Sequence, residues 1–184
     1  MKFKVFRFKK VKSTNNTAIR IIRNSKLENG MIISELQSDG RGQYGRRWIS
    51  EKGNLFVSLF YIQNNLYLTL KQLTKINSFL VKKLLAKYYK KKIDFKKPND
   101  LLINKKKISG ILQETISTSD NKFLIVGVGI NLVKSPKIKN YLTTNLLELM
   151  NKNINKLKIE NQLKQIFEKN LSKMYKINFK LNKI

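Results

Sequence analysis

Residues 38–48, SDGRGQYGRRW, set three glycines and three arginines in eleven positions and end on the chain's one tryptophan. Glycines at 40, 42 and 45 let a backbone take positive φ and turn its N–H groups toward an anion, while Arg41, Arg46 and Arg47 add planar guanidinium donors suited to phosphate oxygens. The guest these residue types favour is a polyphosphate. No GK[ST] follows, as a Walker loop requires, and a strand rather than a helix comes next, unlike a dinucleotide fingerprint. A solvated, flexible hairpin is the plain alternative.

A second group lies in KKPNDLLINKKKISGIL, where Asn99 and Asp100 follow Pro98 and Lys107 stands seven residues beyond Asp100. Across a hairpin these would present an amide, a carboxylate and an ammonium to one cleft. Read alone, Pro-Asn-Asp is also an ordinary turn. VGVGIN, ending at Asn131, closes an apolar strand with glycines that permit close approach of a ligand or another strand.

The chain has no cysteine and no histidine, which excludes disulfides, thiolate metal sites and Ser-His-Asp or Cys-His catalysis. Its 39 Lys and Arg against 11 Asp and Glu give a formal charge of +28, a field that attracts nucleic acid, anionic lipid or acidic protein. Only six of the basic residues are arginines, and the lysines are scattered among many Asn and Ile, as an AT-biased coding sequence also produces. No run of eighteen apolar residues suggests a spanning helix or a secretory segment, so a cytoplasmic location off the membrane is expected.

The 184 residues suit one domain. KFKVFRFKKV reads as a strand, followed by a helix capped at Ser13 or Thr14 and running to about Arg23. GMIISELQ and NLFVSLFYI are strands that hold the glycine-arginine loop between them. Apolar positions Leu70, Leu73, Leu80, Leu84 and Tyr88 predict a helix over 69–90. A short strand at 93–95 precedes three strands in KKPNDLLI, KKISGILQET and KFLIVGVGINL. Leu146, Leu147, Leu149 and Met150, then Leu157, Ile159, Leu163, Ile166, Phe167 and Leu171, predict a short and a longer helix before a basic tail. Strands outnumber helices, which gives an α+β class with a mixed sheet.

STN at 13–15, GRGQYGRRW, KKPND with KKISGIL, and GVGIN, in that order, resemble the biotin protein ligases. The resemblance covers roughly residues 13–132. It implies a mixed β-sheet with helices mainly on one face, of the class II aminoacyl-tRNA synthetase and biotin protein ligase kind. It also implies two reactions: biotin and ATP with Mg²⁺ form biotinyl-5′-AMP, and a lysine of a biotin carboxyl carrier protein then takes the biotin.

On that resemblance Ser13, Thr14, Asn15, Gln37, Gly40, Arg41, Lys107, Gly110, Ile111, Leu112 and Gly129 would line the biotin site. Arg41, Arg46, Trp48, Asn99, Lys107 and Asn131 would serve ATP, with no resident metal ligands. Lys107, Arg41 and Asp100 would be catalytic, Lys107 steadying charge at the reacting centre and Asp100 holding the incoming amine. Two departures stand out: Gln43 replaces a family arginine, and Lys97 replaces the tryptophan of Lys-Trp-Pro-Asn-Asp. The resemblance further implies one catalytic domain over 1–184, no N-terminal DNA-binding domain or specific DNA partner, a C-terminal β-domain absent or vestigial, and a homodimer as the assembly it allows. A lipoate–protein ligase of the same fold and a basic nucleic-acid binder are the alternatives, although most aromatics fall in apolar strands rather than on a basic face.

Overall fold

The computed structural model describes residues 1–64, 66, 68–139 and 141–181, with 176–181 given by their backbone. Seven strands, β1 (Lys4–Val11), β2 (Asn29–Gln37), β3 (Leu55–Ile62), β4 (Asp94–Lys96), β5 (Asp100–Ile103), β6 (Lys106–Ser117) and β7 (Lys122–Ile130), form one sheet in the order β1-β2-β3-β7-β6-β5-β4. Only the β1–β2 pair is parallel, joined by helix α1 (Thr14–Arg23); the other pairs are antiparallel. The central strands β3 and β7 are apolar and buried almost throughout, as strands covered on both faces must be.

Alternation along these strands divides the core. Met31, Val57, Leu59, Val126 and Val128 face helices α2 (Leu70–Leu85), α3 (Leu146–Met150) and α4 (Lys156–Leu181), while Ile32, Phe60 and Ile125 meet Ala18 and Ile22 of α1. Burying one side chain the size of Ile22 stabilises by about 1.5–3 kcal/mol. Three helices on one face and one on the other agree with the expected mixed sheet. No helix among the described residues is long and apolar enough to cross a membrane.

Two helix ends depart from expectation. α2 stops at Leu85, five residues short of Lys90, because Lys87 N–H and Tyr88 N–H bond back three residues and tighten the chain into a turn. Tyr88 still packs on the core and donates its hydroxyl to Gln162 Oε1 at 2.7 Å. α4 does not end near Leu171 before a basic tail: the helix runs on to Leu181, and Met174 and Tyr175 pack against the core. Residues 182–184, the end of that expected tail, lie outside the described residues. Leu70 and Leu157, assigned to apolar faces, sit in first helical turns and are 49% and 57% exposed.

Candidate active site

The loop between β2 and β3 folds over the α1 face of the sheet. Trp48 N–H donates to Gly40 O at 2.8 Å and Gly42 N–H to Arg46 O at 2.6 Å, so residues 40–48 close as a narrow hairpin with a turn at Gln43–Gly45. Of the three loop glycines only Gly45 takes positive φ (71°), beside Tyr44 at 56°. The expected anion nest is therefore not formed: the Gly42 and Trp48 N–H groups are used inside the loop. Gly40 serves close approach instead, since a Cβ there would lie 2.6 Å from Trp48 O.

One wall of the cavity beneath the loop comes from the start of α1. Ser13 caps the helix by accepting from Asn16 N–H. Thr14 donates its N–H and its hydroxyl to Gln37 Oε1 at 2.8 and 3.0 Å, and Gln37 Nε2 donates to Ser50 Oγ at 3.1 Å. Asn15 is 3% exposed; its Oδ1 accepts from Ser58 Oγ at 2.5 Å and its Nδ2 donates to Glu114 Oε2 at 2.7 Å. Gly127 makes room for it, because a Cβ there would overlap the Asn15 amide, coming 3.1 Å from its Cγ. Gly127→Ala is therefore expected to push Asn15 off both partners, at a cost of roughly 2 kcal/mol for two strained buried hydrogen bonds, measurable as a lower denaturation midpoint.

The opposite wall holds the candidate catalytic pair. Lys107 Nζ lies 2.8 Å from Asp100 Oδ1, with the lysine side chain only 11% exposed. The contact is an ion pair by distance, not an aligned hydrogen bond, since Asp100 Oδ1 otherwise lacks a donor among the described residues. Two rings flank the ammonium, Trp48 at 5.2 Å and Tyr141 at 5.1 Å from their centroids, within cation–π range. β5 and β6 are joined through Asn104 and Lys105, both at positive φ (50° and 62°), a two-residue turn that pairs the strands tightly.

Within that pair the register slips: Leu101 faces Ser109 but Leu102 faces Lys107, leaving Ile108 unopposed. This β-bulge lets Ile108 enter the core while Lys107 lies over Gly110, its Cε 3.3 Å from where a Cβ of Gly110 would stand. The Lys107 backbone is gripped as well: its N–H donates to Leu142 O at 2.9 Å and its carbonyl accepts from Thr144 N–H at 3.0 Å.

Gly110 and Gly129 form the floor, and the Trp48 indole lies across them; a Cβ would come 2.7 Å from the ring at Gly110 and 2.5 Å at Gly129. The remaining cavity is about 160 Å³. Pockets for drug-sized ligands run to about 300–1,000 Å³, so the cavity beneath the loop is small beside them. Arg41 Nε and Trp48 Nε1 are buried donors with no acceptor among the described residues, which suits an anionic or carbonyl-bearing guest.

Of the residues singled out in the sequence, Ser13, Thr14, Asn15, Gln37, Arg41, Arg46, Trp48, Asn99, Asp100, Lys107, Gly110, Ile111, Leu112 and Gly129 all border this cavity. Ile111 sends its side chain into the core. Gly40 and Asn131 stand apart from it. Asn131, 2% exposed, donates Nδ2 to Thr144 O at 3.1 Å and to Lys107 O at 3.4 Å, so it braces the lysine from behind. Lys97 is exposed at the rim. Sequence reasoning missed Glu114, whose Oε2 also lies 2.6 Å from Arg41 Nη2, and Tyr141 beside Lys107. The pattern of the biotin/lipoate A/B protein ligase family matches residues 7–131.

The chain belongs to that family. Its match takes in β1 from Arg7 onward, the six other strands of the sheet, and every residue of the site except the 141–144 segment. The bifunctional ligase/repressor BirA of Bacillus subtilis is 33% identical over 126 residues, 67% of this chain and 39% of that protein. This chain thus spans about two fifths of the length of that relative. The biotin--[acetyl-CoA-carboxylase] ligase of Paracoccus denitrificans is 28% identical over 127 residues, 52% of its length. Among solved structures, the Aquifex aeolicus biotin protein ligase in complex with biotin and ATP superposes with a TM-score of 0.79 at 27% identity, covering 94% of this chain and 72% of that one. The Leishmania major biotin protein ligase with biotinyl-5-AMP, at 21% identity and a TM-score of 0.77, shows the same fold over 96% of this chain and 75% of its own.

Proposed function

We propose that this family member is an ATP-dependent biotin protein ligase. The observation that carries the reading is the Lys107 ammonium, held by Asp100 over a glycine floor and beneath an arginine-bearing loop. In the first step a biotin carboxylate oxygen attacks the α-phosphorus of ATP, forming biotinyl-5′-AMP and breaking the bond to pyrophosphate. Lys107 offsets the negative charge of both the carboxylate and the α-phosphate, and Arg46, exposed at the cavity edge, is placed to accompany the leaving pyrophosphate. In the second step an acceptor lysine amine attacks the acyl carbon and AMP leaves; Asp100 takes up the amine proton. Closure of the loop keeps water from the mixed anhydride.

The α1 wall suits a cyclic urea, because Ser13, Thr14, Asn15 and Gln37 gather hydroxyls and amides beside apolar strands. Mg²⁺ would arrive on the nucleotide, held largely by its phosphates. The reading brings with it a biotin carboxyl carrier domain as acceptor, a cytoplasmic location and a homodimer as the assembly to test.

The deciding experiment is pyrophosphate release from purified protein with Mg·ATP and biotin, lipoate, octanoate or no acid. Release with biotin alone is expected. Release with lipoate alone would move the substrate within the family. With Gln43 in place of the family arginine, the loop has one cation fewer, and the adenylate should be held less tightly. Gln43→Arg is expected to lengthen the half-life of bound biotinyl-5′-AMP about tenfold, in line with one charge-assisted contact, read by quench and chromatography; equal half-lives would refute it.

A further inference from the structure

Glu114 lies on β6 where the sequence gives no reason to single it out, yet one of its oxygens joins the α1 wall of the cavity to the loop above it. Oε2 sits 2.6 Å from Arg41 Nη2 and 2.7 Å from Asn15 Nδ2. Asn15 is fixed in turn by Ser58 on β3 and by the missing side chain at Gly127. A continuous chain of contacts therefore runs from the sheet centre through Asn15 and Glu114 to the first arginine of the loop. Both partners of the ion pair are partly buried, Arg41 at 35% and Glu114 at 26% exposure, so its geometry is not that of a loose surface pair. Because Glu114 takes the Nη2 edge, Arg41 Nε is left buried and free to meet an anion in the cavity.

We propose that Glu114 is a positioning residue, anchoring Arg41 so that the glycine-arginine loop is held over the site before ligand arrives. This rests on the ligase reading for its kinetic consequence but not for its structural one. Glu114 acts through Arg41. It also offsets the charge of Arg41, so Arg46 and Arg47, which have no carboxylate in ion-pair reach among the described residues, carry the loop's remaining positive charge. The anchor extends to Trp48, because Arg41 and Arg47 bridge across the loop and Trp48 is tied to Gly40.

The test compares Glu114→Ala, Glu114→Gln, Arg41→Ala and the Glu114→Ala/Arg41→Ala double variant. Trp48, the chain's one tryptophan, reports the loop through acrylamide quenching; kcat and KM for biotin-dependent pyrophosphate release report the site. Glu114→Ala is expected to raise quenching about twofold and lower kcat/KM about tenfold, chiefly through KM for ATP. Glu114→Gln, whose Oε1 accepts from the same two donors, recovers to within about threefold. In the Arg41→Ala background, Glu114→Ala adds less than about a twofold change. Should the alanine variant melt early, Glu114→Thr removes the carboxylate while keeping a strand former. Unchanged quenching in Glu114→Ala, or a full tenfold loss on top of Arg41→Ala, would overturn the proposal. If the wild-type chain releases no pyrophosphate with biotin, the ligase reading fails, and the quenching series alone decides the anchoring role.

Discussion

Lys107→Ala is expected to lower the proposed biotin-dependent pyrophosphate release by about 10²–10³-fold, the usual loss when one fixed donor to a developing charge is removed. The size follows from the setting. The ammonium is almost enclosed, it is fixed by Asp100 at 2.8 Å and two rings, and its backbone is paired on both sides. Alanine would leave Asp100 as an uncompensated carboxylate in the cleft proposed to take anions, so the site would lose a cation and gain a repulsion. Lys107→Arg is not a rescue, because a planar guanidinium cannot replace a compact ammonium between two rings. Rapid-quench assays with saturating biotin and ATP give the value. A loss below about threefold would remove Lys107 from the chemistry.

Asn54→Ala is expected to destabilise the chain by roughly 3 kcal/mol. Asn54 is fully buried, and its Oδ1 accepts three consecutive amides, Leu132 at 3.0 Å, Val133 at 3.0 Å and Lys134 at 3.1 Å, while Nδ2 donates to Lys134 O at 3.0 Å. Alanine removes the partner of all four groups; the amides of Leu132 and Val133 cost about 1–3 kcal/mol each when left unpaired, while the two groups of Lys134, an exposed residue, recover part of their loss from water. The released segment follows Asn131, which braces Lys107, so activity falls with stability. Urea unfolding measures the first effect and pyrophosphate release in native buffer the second.

Much of this fold could be read from residue order. Strands of near-continuous β-branched and aromatic residues can sit only between two layers, and β3 and β7 do so. The glycine-arginine loop was visible because its composition departs sharply from a lysine-rich background. Its geometry was not: two of the three glycines allow close packing instead of positive φ, a distinction that depends on where Trp48 lies. Glu114 escaped notice because an acidic residue beside a threonine in a strand looks like any solvated position until α1 and the loop are placed against it. The end of α4 escaped because Lys and Asn hide an apolar stripe that Met174 and Tyr175 continue.

The unopposed Ile108 has a further meaning for how such sites are recognised from sequence. In a regular strand, residues that point the same way are an even number apart. Lys107 and Gly110 are three apart and still share the cavity face. The odd interval in Lys-x-x-Gly is thus itself a record of the extra residue. If the strand kept Ile108 but paired without the bulge, regular alternation would send either the lysine or the glycine to the wrong side of the sheet. What reads as a motif of letters is a statement about parity: an interval of three on one face requires one residue that the partner strand does not match.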